Sequence, residues 1–151
     1  MEENEYRSAY KSLNPHKCAF EKAINSRRCR CDASERFNLA DREGVACADA
    51  LLLKRCELYL QTMRENARFS LQLIHVDGPL PHAKEIRVQL ASVIELNRIQ
   101  HPDLSSENEL PNIRQLIANG IEEFGAIESF PYGELTKAIS QFKSRKKRQK
   151  K

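Results

Sequence analysis

The feature that most constrains the fold is a run of apolar residues recurring every three or four positions between Val45 and Ile74. This period places them on one face of an α-helix. The stripe consists of Val45, Ala48, Leu52, Cys56, Tyr59, Leu60, Met63, Ala67, Leu71 and Ile74. The turn-forming run Asp77-Gly78-Pro79 follows it. The sequence therefore predicts a long central helix near residues 44–74.

Three further helices are predicted downstream from stripes of the same period. The first follows Pro81 and ends before His101, and the second follows Pro111 and ends at Gly125, where a glycine C-cap is expected. The third begins at residues 129–131 and continues into the C-terminal segment. Each is long enough to bury an apolar face against the central helix.

Shorter helices are predicted in the N-terminal part. Asn14-Pro15 is typical of an N-cap followed by proline at the first helical position, and opens a helix to about Ser26. Asp32 followed by Glu35 is similar to a capping box and predicts another short helix.

A β-hairpin stays open as an alternative, because residues 69–75 and 86–90 also alternate with a period of two. The helical period explains more residues. A chain of 151 residues fits one domain with a real core. We therefore expect an all-α fold, a single-domain helical bundle of about five to six helices over residues 1–142, with a Cys-rich N-terminal segment at 14–47.

The last nine residues, 143–151, form a basic tail, predicted to be disordered. Seven of them are Lys or Arg, and the rest of the chain has 18 basic against 21 acidic residues. Such a tail can contact nucleic acid or an acidic protein surface, and the residues expected to do so are Arg145, Lys146, Lys147 and Arg148. A solubilising helix end explains the tail equally well.

The five cysteines are expected to be reduced. The acidic start Met1–Glu5 is unlike a secretory signal, and no apolar stretch reaches the length of a transmembrane segment. We therefore expect a cytoplasmic protein, or a nuclear one in a eukaryote, where thiols do not form a disulfide framework. The odd cysteine count agrees with this.

The cysteine spacing indicates a metal site. His16, Cys18, Cys29 and Cys31 fall within sixteen residues, and Cys47 follows. Zinc and iron–sulfur centres need several thiolates or imidazoles around one point. The expected ligands are Cys18, Cys29, Cys31 and Cys47, with His16 as a possible substitute, and the expected cofactor is zinc or an iron–sulfur cluster.

Cys56 is left out of this set. On a helix spanning 44–74, Cys47 and Cys56 are nine residues apart and would lie on opposite faces. Cys56 also falls on the apolar stripe, and free cysteine is among the most buried residue types. The sequence therefore favours Cys56 as a core residue.

The sequence is compatible with three functions. The leading hypothesis is a metal-binding protein with a non-enzymatic interaction or regulatory role. The second is a redox or sulfur-handling protein that uses Cys29-x-Cys31, with Arg27, Arg28 and Arg30 lowering the thiol pKa values. The third is a helical adaptor with incidental cysteines. The sequence contains no Ser/His/Asp order, phosphate-binding glycine loop or His-Glu-x-x-His motif, which favours a non-enzymatic role.

Overall fold

The protein is mostly helical, with a small antiparallel sheet. The structure, a computed structural model, describes residues 2–72, 80–103 and 110–142. About 60% of it is helix. Its elements in chain order are α1 (Glu3–Leu13), α2 (Glu21–Asn25), β1 (Ser34–Leu39), β2 (Arg42–Cys47), α3 (Ala50–Asn66), α4 (His82–Gln100), α5 (Ile113–Phe124), a 3₁₀ turn (Ile127–Ser129) and α6 (Tyr132–Gln141).

A β-hairpin occupies the segment where helices were expected. Strands β1 and β2 pair antiparallel, from Ser34 opposite Cys47 to Leu39 opposite Arg42. Ala40 and Asp41 form the turn with φ of 50° and 65°, as a two-residue hairpin turn requires. The helix predicted from Asp32 and Glu35 is therefore wrong.

The predicted helix near 44–74 is also shorter than expected. It begins at Ala50, because Asp49 caps it: its Oδ1 accepts hydrogen bonds from the N–H groups of Leu51 and Leu52 at 2.9 and 3.2 Å. It ends at Asn66, and residues 73–79 lie outside the described ranges. Apolar residues continue at a spacing of three to four across the boundary between β2 and α3. Periodicity alone therefore placed the start of the predicted helix too early.

The three downstream helices are confirmed as α4, α5 and α6. Gly125 caps α5 with φ of 91°, and its N–H donates to Ile121. Residues 86–90 lie inside α4, so the alternative hairpin is excluded. Within the described ranges, no helix is long and apolar enough to cross a membrane.

The core is centred on α4 and not on the helix near 44–74. Helix α4 packs against α2, α3, α5 and α6. Tyr59 of α3 is fully buried between Phe20 and Phe130, with ring centroids 6.0 and 5.7 Å away. Aromatic burial of this kind contributes strongly to core stability.

Helix α1 lies over the hairpin and buries none of its residues. Tyr10 approaches the Phe37 ring at 5.8 Å, and the guanidinium of Arg42 lies 4.3 Å from the Tyr6 ring centre. Arg42 also pairs with Glu3 at 2.9 Å. Exposed contacts of this kind are individually weak, so α1 adds little to the core.

Candidate metal centre

The loop before α2 is joined to the end of strand β2. The N–H of Cys18 donates to the carbonyl of Val45 at 2.9 Å, and the N–H of Cys47 donates to the carbonyl of His16 at 2.8 Å. Two backbone hydrogen bonds in this antiparallel arrangement fix the register of the two segments. They bring Cys18 and Cys47 to the same place although 28 residues separate them in the chain.

Cys31 is held between the hairpin and the start of α5. The N–H of Arg30 donates to Pro111 at 2.9 Å, and Arg30 accepts from the N–H of Ile113 at 2.8 Å. Ser34, the first residue of β1, donates its hydroxyl to the Cys31 carbonyl at 2.6 Å. Cys31 therefore lies where strand, loop and helix N-terminus meet.

Cys56 completes the group from the second turn of α3. It is half-buried against the core, as expected for an apolar stripe, but it also faces the other cysteines. Cys47 and Cys56 were expected to lie apart unless the helix broke between them, and it does: Cys47 lies at the end of β2 and α3 begins at Ala50.

Four cysteines, Cys18, Cys31, Cys47 and Cys56, line one cavity of about 10 Å³. This is close to the volume that one water-sized sphere needs. The other walls are Ala19, Phe20, Ala33, Ser34, Leu52, Leu53, Arg55, Ile113 and Arg114. Four thiols from four separate chain segments thus surround a space of atomic size.

Ionisation of neighbouring thiols raises the pKa values of Cys18, Cys31 and Cys56, and these effects connect all six pairs among the four cysteines. Burial is the main cause that raises the pKa of Cys18 and Cys56 to about 12, and the neighbouring thiols raise both further. Burial also raises the pKa of Cys31, with a further contribution from Cys47. Several thiolates cannot share this space without a cation, whereas a bound divalent ion deprotonates the thiols that coordinate it.

Backbone N–H groups oppose part of this effect. Against the larger effect of burial, the N–H of Phe20 lowers the pKa of Cys18, and the N–H groups of Ala33 and Arg114 lower the pKa of Cys31. Hydrogen bonds to sulfur favour the thiolate over the thiol. Two of the four cysteines therefore have donors already directed at the charged form.

The N-terminus of α5 is one source of these donors. Arg114 is the second residue of α5, and the N-cap Asn112 makes no side-chain capping hydrogen bond. The N–H of Arg114 lowers the pKa of Cys31, whose thiol lies at a helix end favourable to negative charge. Nearby, Arg114 pairs with Asp32, whose Oδ2 lies 2.6 Å from its guanidinium.

The four thiols surround the cavity without closing on a common point. Among the residues that the structure describes, no group of three or more His, Cys, Asp or Glu side chains is arranged so that it could hold a metal ion as placed. Coordination at the roughly 2.3 Å typical of zinc–sulfur bonds would require cysteine side chains to rotate inward. The fold brings the backbone of the four cysteines to the same cavity.

Two expected ligands lie elsewhere. The side chain of His16 is exposed, and the backbone carbonyl of His16 accepts a hydrogen bond from the N–H of Cys47. Cys29 is 1% exposed and interacts with Cys18 and Cys31 but does not line the cavity. Of the expected set, Cys18, Cys31 and Cys47 line the cavity, and Cys56 joins them in place of Cys29.

The redox hypothesis depended on arginines activating Cys29. Burial raises the pKa of Cys29 to about 12, and Cys18 and Cys31 add to it, whereas Arg28 and Arg36 lower it by less. The Arg28 guanidinium lies 5.2 Å from the Phe142 ring centre. A buried thiol with a raised pKa is a poor nucleophile near neutral pH.

The expected contacts for nucleic acid or an acidic protein lie outside the described residues; they are Arg145, Lys146, Lys147 and Arg148.

Comparison of the chain with models of protein families, with curated proteins and with solved structures found no significant match.

Proposed function

We propose that this chain is a metal-binding helical protein whose Cys18, Cys31, Cys47 and Cys56 hold one zinc ion in a structural site. The proposal is supported by the observation that, among the residues that the structure describes, these four thiols and no carboxylate or imidazole line one small cavity. Four cysteines are a common donor set for structural zinc. Inward rotation of the side chains would close the set.

Zinc is favoured over an iron–sulfur cluster by size. Both centres accept four cysteine ligands. The cavity of about 10 Å³ suits a single ion, whereas a cluster of several iron and sulfide atoms would require the surrounding elements to move apart.

The proposed role is structural and non-enzymatic. A zinc ion with four protein ligands keeps no open position for water or substrate. The four cysteines belong to the loop before α2, the loop before β1, strand β2 and helix α3. A metal at their centre would join these four segments, and its binding energy would become folding energy.

We also propose how the chain is divided into a domain and a tail, and what the tail contacts. Residues 1–142 would form one helical domain, carrying 143–151 as a disordered basic tail. Arg145, Lys146, Lys147 and Arg148 would give the tail its contact with nucleic acid or an acidic protein, which would provide the interaction or regulatory role. Thiols that bind metal are maintained in the reducing cytoplasm.

Metal analysis tests the proposal directly. The protein is purified without chelator under anaerobic conditions, and bound zinc and iron are measured by mass spectrometry together with Cys31→Ser, Cys56→Ser and the control Cys29→Ser. We expect about one zinc per chain in the wild type and in Cys29→Ser, and a loss of zinc in the other two.

Three results would contradict the proposal in different ways. A chain with neither zinc nor iron rejects the metal site altogether. Iron with visible absorption rejects zinc in favour of a cluster. Zinc that is lost in Cys29→Ser but kept in Cys56→Ser rejects the ligand set and restores the one expected from spacing.

A further inference from the structure

Arg55 precedes Cys56 in α3 and carries a buried N–H group. Its side chain lines the same cavity, and its Nε is buried without a hydrogen-bond partner among the described residues. Its other contact is a long hydrogen bond of 3.4 Å from Nη2 to the carbonyl of Arg114. A buried donor on a charged group that binds nothing is costly, so its position calls for an acceptor.

The second arginine at the cavity differs in this respect. The guanidinium of Arg114 is matched by the carboxylate of Asp32. In the described part of the chain, Arg55 takes part in none of the ion pairs. Among the described residues, the cavity wall therefore carries one cation without a counter-ion.

A metal bound by four cysteines would supply both missing partners. A divalent ion with four thiolates carries two net negative charges, and its sulfurs accept hydrogen bonds. On inward rotation of the side chains, the Nε–H of Arg55 would meet such a sulfur and offset part of that charge. An uncharged apolar cavity would offer this N–H no hydrogen-bond acceptor.

We propose that Arg55 is a positioning residue for the metal centre, donating its Nε–H to a metal-bound cysteine sulfur and thereby raising the affinity of the site for its ion. This inference rests on the proposed function. Arg55 does not touch the metal, and acts through the sulfur that it orients and stabilises. It is thus a determinant of affinity outside the ligand set.

The test compares Arg55→Met and Arg55→Lys with the wild type and with Lys54→Met, which removes a positive charge from an exposed neighbour on the same helix. Zinc affinity is measured by competition with a chromophoric chelator. Cobalt(II) is then substituted, and its thiolate charge-transfer band is recorded. We expect affinity about 10- to 100-fold weaker in Arg55→Met, with a shifted cobalt band.

Arg55→Lys is expected to fall between the two, because lysine keeps the charge but lacks the Nε–H of the guanidinium. Lys54→Met should resemble the wild type. The thermal stability of metal-free Arg55→Met should equal or exceed that of the metal-free wild type, because the substitution removes an unsatisfied buried donor. A merely structural arginine would instead lower stability in both forms.

Failure of this inference is distinct from failure of the proposed function. If the wild type binds zinc and Arg55→Met binds it equally with an unchanged cobalt band, the role of Arg55 is rejected while the metal site stands. If the wild type binds neither zinc nor cobalt, both are rejected.

Discussion

Helices α4, α5 and α6 bury their side chains far more fully than the β-hairpin that carries Cys47. In this helical region, residues 82–103 and 110–142, seven apolar side chains from all three helices are at most 1% exposed: Val88, Leu90, Leu96, Ile113, Ile117, Leu135 and Ile139. The cysteine region, residues 16–56, is uneven: Phe20, Ala23, Ile24 and Cys29 are at most 1% exposed, whereas strand β1 has no fully buried residue and β2 has only Gly44 and Val45. The hairpin of the cysteine region thus has less hydrophobic support than the three helices.

This difference indicates where a metal would matter most. A two-stranded hairpin with little apolar burial is at best marginally stable in water. Small structural units that lack a sufficient core are commonly stabilised by disulfides or metals. The candidate metal centre includes Cys47 at the end of this hairpin, so its energy would be used there.

The largest expected effect is that of metal removal. Chelation should abolish amide protection across the cysteine region, because the site would supply much of its stability. Amides of α4 and α6 should stay protected, since these two helices pack most extensively against each other. Hydrogen exchange with and without chelator measures this, and equal loss in both regions would show that they do not differ in the way described.

The helical region could be predicted from sequence because its signals are local. The stripes after Pro81 and Pro111, and the cap at Gly125, lie within the elements that they specify. Their side chains bury on one continuous face, so a period of 3.6 is sufficient.

The cysteine region could not be predicted in the same way. Its hairpin turn uses Ala40 and Asp41 at positive φ, where glycine or asparagine is the usual signal. Cys56 joins the candidate site only because α3 starts at Ala50, a boundary that the apolar period obscures. Asp49 was the available clue, as a helix N-cap.

The next effect concerns a buried network that joins the two regions. Glu85 of α4 pairs with Arg64 of α3 at 2.6 Å, and Gln89 donates to Glu85 at 3.0 Å. Gln89 also binds the carbonyl of Ala19 at 3.1 Å and the N–H of Ala23 at 3.0 Å. The network therefore holds the loop that carries Cys18 to the helical region.

Glu85→Gln should lower the free energy of unfolding by roughly 3–5 kcal/mol, because it leaves the Arg64 charge buried without a counter-ion. Denaturant unfolding measures this, and Glu95→Gln, at an exposed ion pair, is the control and should change it by at most about 1 kcal/mol. If Glu85→Gln lowers the free energy of unfolding by less than about 1 kcal/mol, the network does not couple the two regions energetically.

The same pair predicts a dependence on acid. Burial acts to raise the pKa of Glu85, but hydrogen bonds from Arg64, Gln89 and the Leu80 N–H together lower it below its ordinary value of 4.5. A lowered pKa in the folded state contributes stability above pH 4.5, which is lost as the pH falls through the folded pKa. Melting temperatures of the wild type should therefore fall more steeply below pH 4.5 than those of Glu85→Gln, and parallel curves would contradict this.

Leu135→Ala acts within the helical region. Leu135 is 0% exposed, and its truncation should cost about 2–5 kcal/mol through lost burial and a new cavity. Zinc content per folded chain should stay unchanged, because the substitution lies outside the cysteine region. Unfolding and metal analysis of the same sample test this, and a parallel loss of zinc would contradict the separation of the two regions.

The smallest effects come from two glycines that each lie against a phenylalanine ring. A Cβ at Gly120 would collide with Phe130, and a Cβ at Gly44 would collide with Phe37. Phe130 is 4% exposed and packs between other aromatic rings, whereas Phe37 is half-buried on the hairpin. Gly120→Ala should therefore cost about 1–3 kcal/mol, since the enclosed ring cannot move aside.

Gly44→Ala should cost less than about 1 kcal/mol, because the ring of Phe37 can turn toward solvent. Gly133→Ala, which meets nothing within 4 Å on α6, is the control and should be neutral or slightly stabilising. Chemical denaturation of the three variants ranks the costs. A larger loss for Gly44→Ala than for Gly120→Ala would mean that the hairpin is packed more rigidly than the helical core.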